Sequence, residues 1–243
     1  HLPNAHVLVY DLGGGTFDVT LIKPGIPADF AASGATEVQT LTLNTLCKDG
    51  NRELGGLDWD EMLIDLVAEK CMEQFDVDPR LDPRNAAVLH DNCERAKRAL
   101  SKKTNEMVVA DLQGHMVEVT REEFEERSSG LLLQTQMRME QVLADAQEKH
   151  SITKDQIDVL VCGGSTRMPY VKAMIKEVMG CEPLEYKNPQ LLVAGGAAYV
   201  AHAIDPNATI PLPTSNAKPS ADAAAAAADP TLPGDENPTE IEI

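Results

Sequence analysis

Three consecutive glycines, Gly13 to Gly15, stand between two short apolar runs, Val7 to Tyr10 and Phe17 to Ile22. Glycine in series breaks a helix and permits a tight reversal, so the segment predicts two strands joined at the turn Asp11 to Thr16. The same residues suggest a chemistry. Successive glycine N–H groups can converge on one concavity, and such a nest binds anions. Thr16 adds a hydroxyl donor, while Asp11 and Asp18 would repel a phosphate unless a cation lay between them, as magnesium does when carboxylates and waters hold it beside phosphate oxygens. Nest and carboxylates together predict a metal-bound polyphosphate. Taken alone, the three glycines read more simply as a tight hairpin with two solvated acids. A P-loop is excluded, because the turn lacks the GlyLysSer/Thr ending and runs into a strand.

The rest of the chain alternates strands and helices. A loop from Lys23 to Ala35 leads to a strand near Glu37 to Leu43. From Trp59 onward, Met62, Leu63, Leu66 and Val67 recur at helical spacing, with Asp58 and Glu61 placed as N-cap and N3 of a capping box. A second helix covers about Asn85 to Leu100. Glu106 to Leu112 and His115 to Val119 read as a hairpin around Gln113 and Gly114. Thr120 and Glu123 form a capping box that opens a long helix through Gln147. Ile157 to Cys162 is an apolar strand entering Gly163 and Gly164. A helix from Pro169 to Met179 follows and ends at Gly180, and a last helix runs from about Pro189 to Ala203. This order indicates an α/β domain with helices covering a sheet.

Composition changes abruptly near Asp205. From there to Ile243 the chain holds seven of its 15 prolines, a run of six alanines (Ala223 to Ala228), seven acids and one base, Lys218. Such a stretch buries too little apolar surface to offset its ordering entropy, and it reads as a disordered acidic Pro/Ala-rich C-terminal linker with a reach of roughly 35 Å. The expected division is therefore a folded unit over 1–204 and a linker over 205–243. The 243 residues carry a formal net charge of −18, which argues against nucleic acid and anionic membrane as partners. No apolar run approaches the roughly 20 residues needed to cross a bilayer. Five cysteines without CxxC spacing fit a reducing, cytoplasmic compartment better than a disulfide framework or a zinc site. Because the first residue is His1, the chain reads as a piece of something longer or a processed product.

Two further stretches carry candidate chemistry. On the helix around Cys93, residues Leu89, Cys93, Ala96 and Leu100 form an apolar stripe. Glu94, Lys97, Arg98 and Ser101 line the adjacent polar face, which offers an acceptor, two cations and a hydroxyl. A mixed-charge face of this kind is usually just solvated, with a Glu94–Arg98 pair worth about 0.2–0.5 kcal/mol. The third stretch is the strand that ends in Gly163-Gly164-Ser165-Thr166-Arg167 ahead of a helix. Its glycines permit close approach of a ligand and Arg167 could stack on a base, yet a plain loop with Arg167 in solvent fits equally well.

The stretches Val7 to Leu21, Leu54 to Leu63, Cys93 to Ser101, Val119 to Glu126, Asp158 to Pro169 and Asn188 to Ala198 occur together and in order. In this the sequence resembles the nucleotide-binding domain of the DnaK-type seventy-kilodalton heat-shock chaperones, within the actin-like ATPase superfamily. The resemblance spans nearly all of residues 5–204 and matches only the second lobe of that domain. It implies an actin-like ATPase (ribonuclease H-like) lobe, a mixed sheet covered by helices.

The resemblance also implies site residues. Gly13, Gly14, Gly15 and Thr16 would form a phosphate loop, and Asp11 would position the metal and its waters. Asp11 and Thr16 are thus the candidate catalytic residues, and Asp11 and Asp18 the candidate ligands near Mg2+. Gly56 would touch the nucleoside, Glu94 and Lys97 the ribose, and Ser101 the adenine. Arg98 and Arg167 would sandwich the base, with Gly164, Ser165 and Met168 along the same wall. Implied cofactors are ATP or ADP with Mg2+. Implied partners are unfolded polypeptide clients held by a domain absent from this chain, a J-domain cochaperone and a nucleotide-exchange factor.

Some positions depart from the pattern. The first phosphate loop and the first-lobe lysine and acid are missing, so the residues present should bind nucleotide without completing hydrolysis. Gln190 stands where the family usually has aspartate and Leu57 where it usually has a polar residue. Cys47 to Glu53 reads as a surface loop without a nucleotide role. Two competitors remain: a bacterial actin-like filament protein, and a non-enzymatic interaction module derived from an ATPase lobe.

Overall fold

The computed structural model describes residues 6–25, 42–185 and 192–204. The glycine hairpin forms as expected, with β1 (His6–Leu12) antiparallel to β2 (Phe17–Gly25). β2 pairs on its other side with β3 (Thr42–Asn51), again antiparallel. β1 pairs in parallel with β6 (Ile157–Cys162), which pairs in parallel with the short β7 (Leu184–Glu185). The sheet is therefore mixed, in the order β3-β2-β1-β6-β7. β6 lies toward its parallel side and is buried along almost its whole length, as its unbroken apolar run requires. β2 alternates buried and accessible residues from Phe17 to Leu21, the mark of a strand with one covered face.

Helices cover the sheet and carry a smaller unit. α1 (Gly56–Phe75) and α2 (Pro83–Leu100) pack on each other and on a separate hairpin of β4 (Asn105–Val109) and β5 (Met116–Thr120). α3 (Arg121–Arg127) follows, and then α4 (Ser129–His150), which lies on β2 and β3. α5 (Pro169–Met179) packs against α4, and α6 (Leu192–Ile204) is the last described element. One continuous apolar core joins the sheet to the helical unit, from Leu8 and Val159 through Trp59 and Val67 to Leu89 and Val117. The expected stripe of Leu89, Cys93, Ala96 and Leu100 is buried. With aromatics only 4% of the chain, aliphatic and sulfur side chains fill most of this volume.

Four expectations need correction. α1 starts at Gly56 with Gly55 as N-cap, three residues before the position assigned to Asp58. Asp58 instead sits at N3, where its Oδ2 accepts the Gly55 N–H at 2.7 Å. The N–H groups of Gly56 and Leu57 donate to the carbonyls of Gly13 and Gly14, at 2.9 and 2.8 Å. The hairpin thus satisfies helix-start donors that a side-chain cap would otherwise serve.

The long helix expected from Thr120 through Gln147 is two helices. The Thr120–Glu123 capping box forms, but the run stops at buried Ser128, whose hydroxyl donates to the Phe124 carbonyl at 2.7 Å and meets the Tyr170 hydroxyl at 2.7 Å. Cys47 to Asn51 is strand and not loop, because β3 pairs in register with β2 from Phe17↔Asn51 to Leu21↔Cys47. Leu46 is the extra residue of a bulge there. The hairpin strands also end sooner than expected, at Val109 and Met116, which leaves His115 in the connecting loop. Most of the stretches Lys23 to Ala35 and Glu37 to Leu43, as well as Gln190 and the expected linker, lie outside the described residues.

Candidate functional site

The turn between β1 and β2 is held from inside by its carbonyls. Gly13 N–H donates to Thr16 O at 2.9 Å, Gly13 O accepts from Gly56 N–H and from Ser165 Oγ at 3.1 Å, and Gly14 O accepts from Leu57 N–H. In a trans peptide the carbonyl and the following N–H point in opposite directions, and the described bonds are all trans. With the Gly13 and Gly14 carbonyls turned inward, the N–H groups of Gly14 and Gly15 therefore face out. Gly14, Gly15 and Thr16 are exposed, and a Cβ built on Gly14 or Gly15 meets nothing within 4 Å. This is the open, donor-lined concavity that the sequence suggested.

Glycines on other elements press against the same turn. A Cβ at Gly55 would lie 2.5 Å from the Gly15 backbone, and one at Gly50 would lie 2.7 Å from Phe17 O. Gly163, at φ +86°, would collide with Leu12 O and approach Asp11 Oδ1 to 2.8 Å. The parallel alignment of β6 beside β1 thus depends on a residue without a side chain at the end of β6.

Asp11 and Asp18 are direct cross-strand partners, which puts both carboxylates on one face of the hairpin. Asp11 is half-buried and Asp18 is exposed. Burial pushes the Asp11 carboxyl above its ordinary range, a hydrogen bond from the Cys162 thiol opposes the shift, and the Asp18 charge adds to it. Like charges set opposite each other are destabilising unless a cation relieves them, so this pair fits a divalent ion beside the nest.

The polar face of α2 divides in two. Lys97 turns inward, donating to Gly56 O at 2.7 Å and pairing with Asp60 Oδ2 at 2.8 Å, with side-chain exposures of 13% for Lys97 and 3% for Asp60. Burial raises the Asp60 carboxyl, and the Lys97 hydrogen bond and charge pull it back down. Asp60 Oδ1 is buried with no hydrogen-bond partner among the described residues. Arg98 and Glu94, by contrast, pair with each other on the accessible side. Ser101 caps the helix and donates to Lys97 O at 3.2 Å.

Ser165 joins these pieces. It is buried, bonds to Gly13 O, and would be struck by a Cβ on Gly56, which would also lie 3.3 Å from Lys97 Nζ. Gly13, Gly56, Lys97 and Ser165 are therefore brought into one contact cluster, with Asp60 behind it. Gly164 is half-buried in the turn before α5. Met168 is buried in the core, so its side chain faces inward. Arg167 is exposed and makes no side-chain hydrogen bond or ion pair among the described residues. Leu57 is 57% exposed beside the turn and contributes its backbone N–H.

Sequence reasoning singled out Gly163 but missed Asp60 and Gly55 as parts of this arrangement. Asp60 carried a signal: with Leu63 and Val67 it falls on the buried stripe of α1, and an acid at a core position calls for a cationic partner.

A mixed sheet with a glycine hairpin on its interior strands, helices on the sheet and an inward lysine beside a serine turn fits the actin-like ATPase fold. Comparison with known proteins identifies the family. The Hsp70 protein family matches residues 3–212, and the chain belongs to it. It is 37% identical over 204 residues to chaperone protein dnaK3 of Thermosynechococcus vestitus, covering 80% of this chain and 27% of that protein. It is 36% identical over 203 residues to chaperone protein DnaK of Thermosipho melanesiensis, covering 80% of this chain and 31% of the relative. With DnaK of Mycoplasmopsis pulmonis the identity is 34% over 200 residues, covering 79% and 31%. The chain thus spans under a third of the length of these relatives. Among the described residues no helix is long and apolar enough to cross a membrane.

Proposed function

We propose that this chain is the adenosine- and phosphate-binding lobe of a cytoplasmic chaperone ATPase. Its intact form would couple ATP binding and hydrolysis to the capture and release of unfolded polypeptides, assisted by a J-domain cochaperone and a nucleotide-exchange factor. The observation that carries this reading is the outward pair of Gly14 and Gly15 N–H groups beside facing Asp11 and Asp18 carboxylates. Gly14, Gly15 and Thr16 would donate to the terminal phosphates. Asp11 and Asp18 would hold Mg2+ through its waters, and their unrelieved like charge is the reason the pair fits that ion. Mg2+, when bound, supplies positive charge against the phosphate oxygens. Lys97, steadied by Asp60, would present one ammonium proton to the ribose, and Glu94 would accept from it. Arg98 and Arg167 would flank the base, with Gly56, Ser101, Gly164 and Ser165 forming the rest of the adenosine wall and Met168, its side chain in the core, contributing no more than backbone.

Asp11 would also orient the attacking water, but the lysine and acid that would complete the reaction are not in these 243 residues, so this chain alone would bind without turnover. Residues 205–243 would serve as the tether to the client-holding domain.

Calorimetry with ATP and adenosine tests the reading. Each charge-assisted hydrogen bond contributes roughly 1.5–3 kcal/mol, so without two or more partners from the other lobe ATP should bind about a thousandfold more weakly than to an intact domain. Adenosine should lose far less. Phosphate release should be undetectable. Magnesium-dependent turnover by the purified chain, abolished by Asp11→Asn, would show that a second lobe is unnecessary and overturn this mechanism.

A further inference from the structure

Far from the glycine hairpin, three side chains of different donor type converge. Cys71 lies near the end of α1, and Asp111 and His115 lie in the loop joining β4 to β5. A thiol sulfur, a carboxylate oxygen and an imidazole nitrogen from these residues all fall within 4.8 Å of one another. Cys71 is 0% and Asp111 1% exposed, whereas the His115 side chain is 30% exposed and forms the open edge of the group. Cys71 is fifteen positions beyond Gly56 on the same helix, which at 1.5 Å per residue puts it about 22 Å from the start of α1. The group is thus separate from the Asp11–Asp18 pair.

The loop is already shaped. Asp111 Oδ1 accepts the N–H groups of Gln113 and His115, each at 3.1 Å, and Asp111 Oδ2 lies 2.7 Å from His115 Nδ1. Ala110 N–H donates to His115 O at 2.7 Å, and Leu112 N–H donates to Asn85 Oδ1 at 3.1 Å. The His115 ring stacks on Phe75 with centroids 4.6 Å apart. Phe75 is one helical turn beyond Cys71, so one face of α1 supplies both the sulfur and the surface that fixes the imidazole. Orientation of ligands by backbone and neighbouring rings is what a metal site requires of its surroundings.

We propose that Cys71, Asp111 and His115 form a binding site for a divalent transition-metal ion of the zinc type, clipping the far end of α1 to the β4–β5 loop. Mixed sulfur, nitrogen and oxygen donors favour zinc-like ions over magnesium or calcium, which take oxygen ligands. Three protein ligands leave a fourth, solvent-supplied position on the exposed side of His115. Tetrahedral bond lengths of about 2.0–2.3 Å put the donor atoms roughly 3.4–3.6 Å apart, so donors that already lie within 4.8 Å of one another need only small side-chain adjustments, and the 2.7 Å Asp111–His115 contact opens slightly. On binding, the Cys71 S–H bond breaks, its proton passes to solvent, and the thiolate pair forms the metal–sulfur bond. His115 donates a ring-nitrogen lone pair and Asp111 a carboxylate oxygen. A free thiol buried here is held neutral, its pKa raised by burial and then by the Asp111 and Asp78 charges. A cation reverses that balance.

Titration of the reduced full chain with Co2+ tests the site. One equivalent should give a thiolate-to-cobalt charge-transfer band that Zn2+ displaces. Cys71→Ser should abolish the band, His115→Gln should weaken binding about 10–100-fold, and Asp11→Asn and Cys181→Ser should leave it intact. Zn2+ at a hundredfold excess over its Kd should raise Tm by about 5–10 °C in the parent chain and much less in His115→Gln, a half-exposed position that tolerates the change. Absence of the band, its survival in Cys71→Ser, or an equal Zn2+ shift in parent and His115→Gln would overturn the proposal and leave Asp111 and His115 as a staple of the loop.

Discussion

Around the Gly13–Thr16 turn nearly every close neighbour is backbone, whereas along the polar face of α2 the partners are side chains. The turn is gripped by carbonyl-to-amide bonds from α1 and by glycines whose missing Cβ atoms leave the only space available. The face of α2 is held by ion pairs, one buried and one exposed. Backbone cannot change its chemistry and yields little in position, so the glycines pressed against the turn, Gly50, Gly55 and Gly163, tolerate almost no addition of volume, whereas Gly14 and Gly15 on its open side have room. Side chains can rotate or resolvate, so the tolerance of the second follows burial: high at Arg98 and low at Lys97.

Gly163→Ala probes the backbone-built side and should have the largest effect. It combines an unfavourable φ with a collision against Leu12 O, and a loss of about 4 kcal/mol is expected in urea unfolding. Gly114, at φ +85° with nothing within 4 Å, isolates the dihedral cost, and Gly114→Ala should lose only about 1 kcal/mol. Equal losses at the two sites would mean that close packing on β1 is not what demands glycine at 163.

Lys97→Met tests the buried half of the α2 face and should cost about 3 kcal/mol, because the Asp60 carboxylate would be left in the interior without its cation. The double change Lys97→Met with Asp60→Asn should recover part of the loss. If the double variant is as unstable as the sum of the single ones, the pair is not the device that holds Lys97.

A smaller effect is expected from Asp11→Asn. A carboxyl raised in the folded state binds more protons there than in the unfolded chain. Its contribution to stability is therefore present at low pH and declines as pH rises from the ordinary carboxylate range through the raised value. Asn at this position should flatten that decline and make the chain more stable than the parent at pH 7, with the difference shrinking toward low pH. A variant less stable than the parent at pH 7 would show that Asp11 is favourably paired in the folded state.

Glu94→Gln should have the smallest effect, about 0.5 kcal/mol or less, since it breaks an exposed i, i+4 pair on a helix. A thermal scan showing a loss comparable to that of Lys97→Met would erase the distinction between the two halves of the face.

Local patterns were enough for the hairpin, for β6 and α5 at their observed limits, and for the Thr120–Glu123 capping box, because each depends on residues within one turn or one strand pair. The apolar stripe of α2 was legible for the same reason. Family resemblance added the expectation that Lys97, Gly56 and Ser165 belong to one site, and the fold does bring these three together.

Tertiary structure alone decided where α1 begins, since the hairpin carbonyls that receive its first N–H groups come from some forty residues earlier in the chain. It decided the break at Ser128, whose hydroxyl is engaged by a tyrosine from α5, and the strand character of Cys47 to Asn51, which needed β2 as a template. It also decided that Lys97 turns inward while Arg98 stays out, and that Cys71 meets Asp111 and His115. Short-range periodicity says which face of an element is apolar. Which polar group finds its partner depends on how distant elements pack, and no window of a few residues contains that information.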